Sequence, residues 1–181
     1  TYPGLYNNTN ETIKKSFQEL IKNTNNNIDI TFASEYMMDN SLIKKARQKK
    51  ILTLLGNFVL VEMSFIAPPQ NLYEIIFEVK TNGYIPIIAH PERYAFFHNS
   101  FVDYYKLKKH GCLFQINLLS TTGYYGNRVL KITDKLLKLS LVDYVGSDIH
   151  NLNHVREFNK KVRIKNIEKL VILISKNSDF E

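Results

Sequence analysis

Six residues of metal- or phosphate-binding type stand at or just beyond the ends of apolar runs in this sequence. In "IIAHPERY" (Ile87–Tyr94) the run ends in His90, with Arg93 three residues on. In "YVGSDIH" (Tyr144–His150) it ends in Asp148 and His150. Glu62 lies at the end of "FVLVEMS", and Glu35 follows the run Ile28–Ala33. Imidazole and carboxylate together suit manganese, zinc or iron rather than soft thiolate chemistry. Several metals held by shared carboxylates generate a hydroxide and clamp a phosphate. Arg93 suits bidentate binding of phosphate oxygens.

Each residue alone has a plainer reading. Glu62 could face water from an edge strand, His90 could cap a helix, and Asp148 could be an N-cap. "SEYMMD" could be a surface turn, with Asp39 capping the next helix. Several such residues closing successive strands by chance is a much weaker reading. His98, His110 and His154 have no such placement and read as structural or surface residues. Asp134, Glu157 and Glu168 fall in helical patterns and read as solvent-facing.

The elements that must position this set alternate. Asn10 caps a helix carrying Ile13, Phe17, Leu20 and Ile21 on one face. Strands are expected over Ile28–Ala33, Ile51–Leu55, Phe58–Met63, Tyr84–Ala89, Leu113–Asn117 and Asp143–Gly146, with a turn at Gly56-Asn57. Helices are expected over Ser41–Lys49, around Leu72–Val79, and over Asn99–His110, Arg128–Leu139, Asn153–Lys161 and Lys165–Lys176. Alternation of this kind predicts an α/β fold with a mostly parallel sheet in one domain, 1–181. In such folds the C-terminal ends of the strands form the rim where ligands bind.

Composition bounds the rest. The 181 residues are 44% hydrophobic and 23% charged, with a net charge of +7, ordinary for a globular domain. No apolar run approaches the roughly 18 residues that span a bilayer. The first residues do not read as a signal peptide, and the missing initiating Met reads as a processed or cut chain. The single cysteine, Cys112, excludes an internal disulfide framework and reads as a small buried hydrophobe. The lysines are scattered in pairs such as Lys44-Lys45 and Lys160-Lys161, which read as solvated faces rather than a nucleic-acid stripe.

"YNNTNETI", "SEYMMD", "LVEMSF", "GYIPIIAHPERY" and "GSDIHN" together resemble the polymerase-and-histidinol-phosphatase (PHP) superfamily of metal-dependent phosphoesterases. Within it they are most similar to bacterial capsule and exopolysaccharide tyrosine-protein phosphatases. The resemblance implies a distorted TIM-like (β/α) barrel of about seven strands and a multinuclear site, usually manganese, with iron or zinc as alternatives. It implies Glu35, Glu62, His90, Asp148 and His150 as metal ligands and Arg93 as the catalytic phosphate binder. Arg156, in "NLNHVREF", is its candidate for a second substrate-binding arginine, out of the family's register. The family's opening His-x-His pair and a later histidine have no counterpart here. The chain therefore resembles the family without its first strands, and weak metal binding and low activity are expected of it alone.

The resemblance further implies a cytoplasmic bacterial hydrolase acting on a phosphotyrosine-bearing protein, such as a kinase of polysaccharide export. Neither nucleic acid nor membrane insertion is expected, and the oligomeric state is not legible. Two other readings stay open: a phosphatase for a small monoester such as histidinol phosphate, and a non-catalytic basic binding domain.

Overall fold

The computed structural model describes residues 8–24 and 29–180. Helix α1 (Asn10–Lys22) is followed by β1 (Glu35–Met37), α2 (Asn40–Arg47), β2 (Phe58–Glu62), α3 (Leu72–Thr81) and β3 (Ile85–Ala89). Then come α4 (Phe101–Lys109), β4 (Leu113–Asn117), α5 (Asn127–Lys138), β5 (Tyr144–Gly146), α6 (Leu152–Glu157) and α7 (Ile167–Lys176). The five strands form one sheet in the order β1-β2-β3-β4-β5, every pair parallel. Each strand thus pairs with the next in sequence, and the helices between them make the crossovers that parallel pairing requires.

The alternation of β2 separates two faces. Val59 and Val61 are fully buried and belong to one core with Leu42 and Ile43 of α2 and Ile75, Ile76 and Val79 of α3. Phe114 and Ile116 of β4 join Leu136 and Leu137 of α5 in the same core. Burying each such side chain contributes about 1.5–3 kcal/mol. On the other face Leu60, Glu62 and Gln115 are only half-buried. There Gly146 has Gln115 lying against it: a Cβ at Gly146 would stand 2.7 Å from Gln115 Oε1.

Several local expectations are corrected. Thr9, not Asn10, caps α1: its side chain accepts from Thr12 N, and Thr12 Oγ1 accepts from Thr9 N. Of the run Ile28–Ala33, Ile28 lies outside the described residues, and 29–34 forms no strand. The strand is the three residues Glu35–Met37. Glu35 therefore opens β1 instead of following it. Ile51–Leu55 is not a strand either. Ser34 N donates to Leu52 O, and a turn bonding Leu54 N to Phe58 O reverses the chain directly into β2. Asp39 caps α2, accepting from Ser41 N at 2.8 Å and Leu42 N at 3.2 Å.

Candidate metal centre

The register brings Glu35, although it opens its own strand, beside Glu62 and His90 at the ends of β2 and β3. Glu35 is level with Leu60, two residues before Glu62 on the same face of β2. His90 follows Ala89 at the end of β3, and its N–H still belongs to the sheet, donating to Gln115 O at 2.7 Å. The chain then turns sharply, with His90 in the left-handed region at φ 37°. Asp148, just beyond β5, does the same at φ 51°. Such conformations cost a non-glycine residue about 1–3 kcal/mol and cluster at functional sites.

Glu35, Glu62 and His90 offer ligand atoms that all lie within 4.8 Å of one another. His90 Nε2 is 3.2 Å from Glu35 Oε1 and 3.9 Å from Glu62 Oε2. Burial, and then the negative charge of Glu35, push the Glu62 carboxyl above its ordinary range, against the pull of His90. Two carboxylates crowded beside one imidazole make a strongly negative grouping. Hard oxygen and borderline nitrogen donors in this grouping fit a divalent first-row metal.

Asp148 and His150 line the same 870 Å³ cavity as that group, together with Arg93, Phe65, Tyr124, Tyr125 and His154. They stand to one side of it, in a second cluster. Asp148 Oδ2 accepts from Arg93 Nη1 at 2.9 Å and from Asn117 Nδ2 at 2.8 Å. His150 Nδ1 is 2.9 Å from Asp148 O and 3.2 Å from its Oδ1. Arg156 is exposed on α6, with Nη1 3.4 Å from Asn153 Oδ1, and is not among the residues lining the cavity.

Other residues take roles that the sequence does not announce. His154, expected to be structural or at the surface, lines the cavity, its Nδ1 3.2 Å from Asp148 O. Tyr94 is fully buried and accepts a hydrogen bond from Met63 N at 2.8 Å. Asp134, expected to face solvent, accepts from Lys165 N, Asn166 N and Asn166 Nδ2 ahead of α7. Glu92 is wholly buried, and its Oε1 accepts from Asn117 N at 2.9 Å and Ser120 Oγ at 2.6 Å. Burial raises its pKa, and the bonds from Ser120 and Asn117 oppose the rise. This acid ties the turn after β3 to the end of β4. Its position inside "HPER" was the only available signal. Cys112 is buried, and burial pushes its thiol up to about 12, which leaves no thiolate at neutral pH.

Residues 3–171 match a family described as capsular polysaccharide synthesis, CpsB/CapC. The chain is 28% identical over 153 residues to CapC of Staphylococcus aureus, covering 82% of this chain and 60% of that protein. It is 24% identical over 170 residues to the tyrosine-protein phosphatase YwqE of Bacillus subtilis, covering 92% of this chain and 66% of that protein. Crystal structures of YwqE and of CpsB from Streptococcus pneumoniae are described as unique metal-dependent tyrosine phosphatases. The match to that work has a TM-score of 0.74 at 24% identity, over 93% of this chain and 68% of the solved one. The chain thus spans less than two thirds of the length of the CapC relative and about two thirds of YwqE. Among the described residues no helix is long and apolar enough to cross a membrane.

Proposed function

The chain belongs to the CpsB/CapC family of capsular polysaccharide synthesis, and from that membership we propose that its rim is the site of a metal-dependent protein-tyrosine phosphatase. The observation that carries this reading is the grouping of Glu35, Glu62 and His90 in one cavity with Arg93 and three aromatic side chains. Glu35, Glu62 and His90 hold the metal, manganese in the first instance, with Asp148 and His150 completing a multinuclear set. A divalent cation held there would supply a water-derived nucleophile at neutral pH. Arg93 binds the phosphoryl oxygens and stabilises the charge that develops on them. Phe65, Tyr124 and Tyr125 give the phenyl ring of phosphotyrosine apolar walls that an aliphatic monoester would not use. Cys112, buried and protonated, takes no part.

The consecutive strand order and the half-buried inner face support a second element of the proposal. The five strands form one side of a distorted (β/α) barrel, a single phosphatase domain whose interior is the face carrying Leu60 and Gln115. The natural substrate in this reading is a cytoplasmic phosphotyrosine protein, such as a kinase governing polysaccharide export.

The test is hydrolysis of a phosphotyrosyl peptide beside a phosphoseryl peptide and histidinol phosphate, with manganese and again after chelation. Turnover that depends on the metal and prefers the aryl ester is the expected result. Turnover that survives chelation, or equal rates on all three esters, overturns the reading.

A further inference from the structure

Arg93 belongs to a closed ring of contacts. Its Nη1 donates to Asp148 Oδ2 at 2.9 Å, and Asn117 Nδ2 donates to the same oxygen at 2.8 Å. Asn117 Nδ2 also donates to Tyr125 Oη at 3.1 Å. The ring of Tyr125 returns to Arg93, whose guanidinium carbon lies 4.2 Å from its centroid. Phe65 adds a second aromatic face, 4.7 Å from the same carbon. The Arg93 side chain keeps about a fifth of its surface exposed in the cavity wall.

A long arginine side chain loses much rotamer freedom when it is fixed. Aromatic faces hold a guanidinium by cation–π attraction and limit the directions open to it. Here one edge of the fork is occupied by Asp148, and five N–H donors in total are available to it. The remaining donors are what an anion in the cavity would meet.

We propose that Tyr125 and Phe65, together with Asn117, are positioning residues of the anion site, holding Arg93 ready for phosphate through aromatic contact rather than touching the metal. The inference rests on the reading of Arg93 as the phosphate binder and names the residues that make it effective. Tyr125 carries the larger share, because its ring holds Arg93 while its hydroxyl accepts from the same Asn117 amide that orients Asp148.

The experiment measures two affinities on each variant of the whole chain loaded with manganese: inorganic phosphate by calorimetry and Mn2+ by electron paramagnetic resonance. Tyr125→Leu is expected to weaken phosphate binding about tenfold, within the range of a partly desolvated cation–π contact. Its Mn2+ affinity and melting temperature should stay close to the parent's. Tyr125→Phe, which keeps the ring, should bind phosphate within about threefold of the parent. Phe65→Leu should fall between the two and, being a change at a half-exposed position, leave the fold intact even if Tyr125→Leu does not. Parent-like phosphate affinity in Tyr125→Leu and Phe65→Leu overturns the proposal. So do equal losses of phosphate and Mn2+, a Tyr125→Phe variant as weak as Tyr125→Leu, or a parent chain that binds no phosphate. Phosphate binding does not depend on turnover. A parent that binds phosphate but hydrolyses no aryl ester removes the proposed phosphatase activity and leaves this inference standing.

Discussion

Glu62→Gln should make the metal-free protein more stable and the metal-loaded protein less so. Glu62 and Glu35 place carboxylate oxygens within 4.8 Å of each other beside His90. At an effective dielectric of about 20, two like charges at that distance repel by about 3.5 kcal/mol. Both side chains retain some contact with solvent, 20% and 28% exposed, and screening reduces the penalty to about 1–2 kcal/mol. The amide keeps the shape and removes the charge, so Glu62→Gln should gain that amount in chelator at pH 7. The pH dependence has a definite sign. The folded-state pKa of Glu62 is raised, first by burial and then by Glu35. The native state therefore favours the protonated acid, and the parent loses stability as pH climbs from the ordinary carboxylate value through the raised one. Below that window the acid is neutral in both states and the advantage of the amide should vanish. With millimolar MnCl2 the order should reverse, because the parent gains binding free energy that the variant has lost. Urea unfolding with EDTA and with manganese, at pH 4 and pH 7, reads all four cases. A variant less stable than the parent in EDTA at pH 7 would refute the account of two mutually repelling carboxylates.

Other outcomes follow from the same geometry. His90→Ala should cut manganese affinity by at least about tenfold with circular dichroism unchanged, as a metal titration will show. Arg93→Ala should spare metal binding yet lower kcat/KM on an aryl phosphate by about 2–4 kcal/mol of transition-state stabilisation. Cys112→Ala should cost about 1 kcal/mol in unfolding and leave hydrolysis intact, and the parent thiol should resist alkylation at pH 8 until the protein unfolds. Asp134→Ala should destabilise by about 1–2 kcal/mol without touching manganese affinity. Burial tends to raise the Asp134 carboxyl, but the hydrogen bonds from Asn166 and Lys165 outweigh it and lower its pKa. The loss should therefore be full above the ordinary carboxylate value and shrink as pH falls through the lowered one, in acid unfolding curves.

What the sequence made legible had strong local grammar. Leu113–Asn117 is bounded by Gly111 and a turn, and its limits agree with the structure to the residue. Leu72, Ile75, Ile76 and Val79 mark the buried side of α3 at helical spacing. The first strand was misplaced because Ile28–Ala33 is the more apolar run, whereas parallel pairing with β2 selects three residues, one of them charged. Ile51–Leu55 has strand composition, but its chain neighbours leave it only a turn. At the site, ending an apolar strand in His90 or Glu62 is a pattern that one segment displays alone. The partnership of Arg93 with Tyr125, or of Glu92 with Asn117 and Ser120, exists only once separate βα units are packed side by side. Nothing in "GYYGN" distinguishes Tyr125, which meets Arg93, from Tyr124, which packs against His154.

The order of the sheet bears on how the protein is assembled. Because each strand pairs with its successor, every strand pairing joins neighbouring βα units rather than distant parts of the chain. A polypeptide leaving the ribosome N-terminus first can add one unit at a time. Glu35, Glu62 and His90 are then in place once β3 has docked, before Asn117, Tyr125 and Asp148 have arrived. The carboxylate–imidazole group is thus available to a cation during synthesis, while the ring around Arg93 closes only with β5. Arg93 arrives with β3, but the contacts that hold it are complete only when Asp148 is in place.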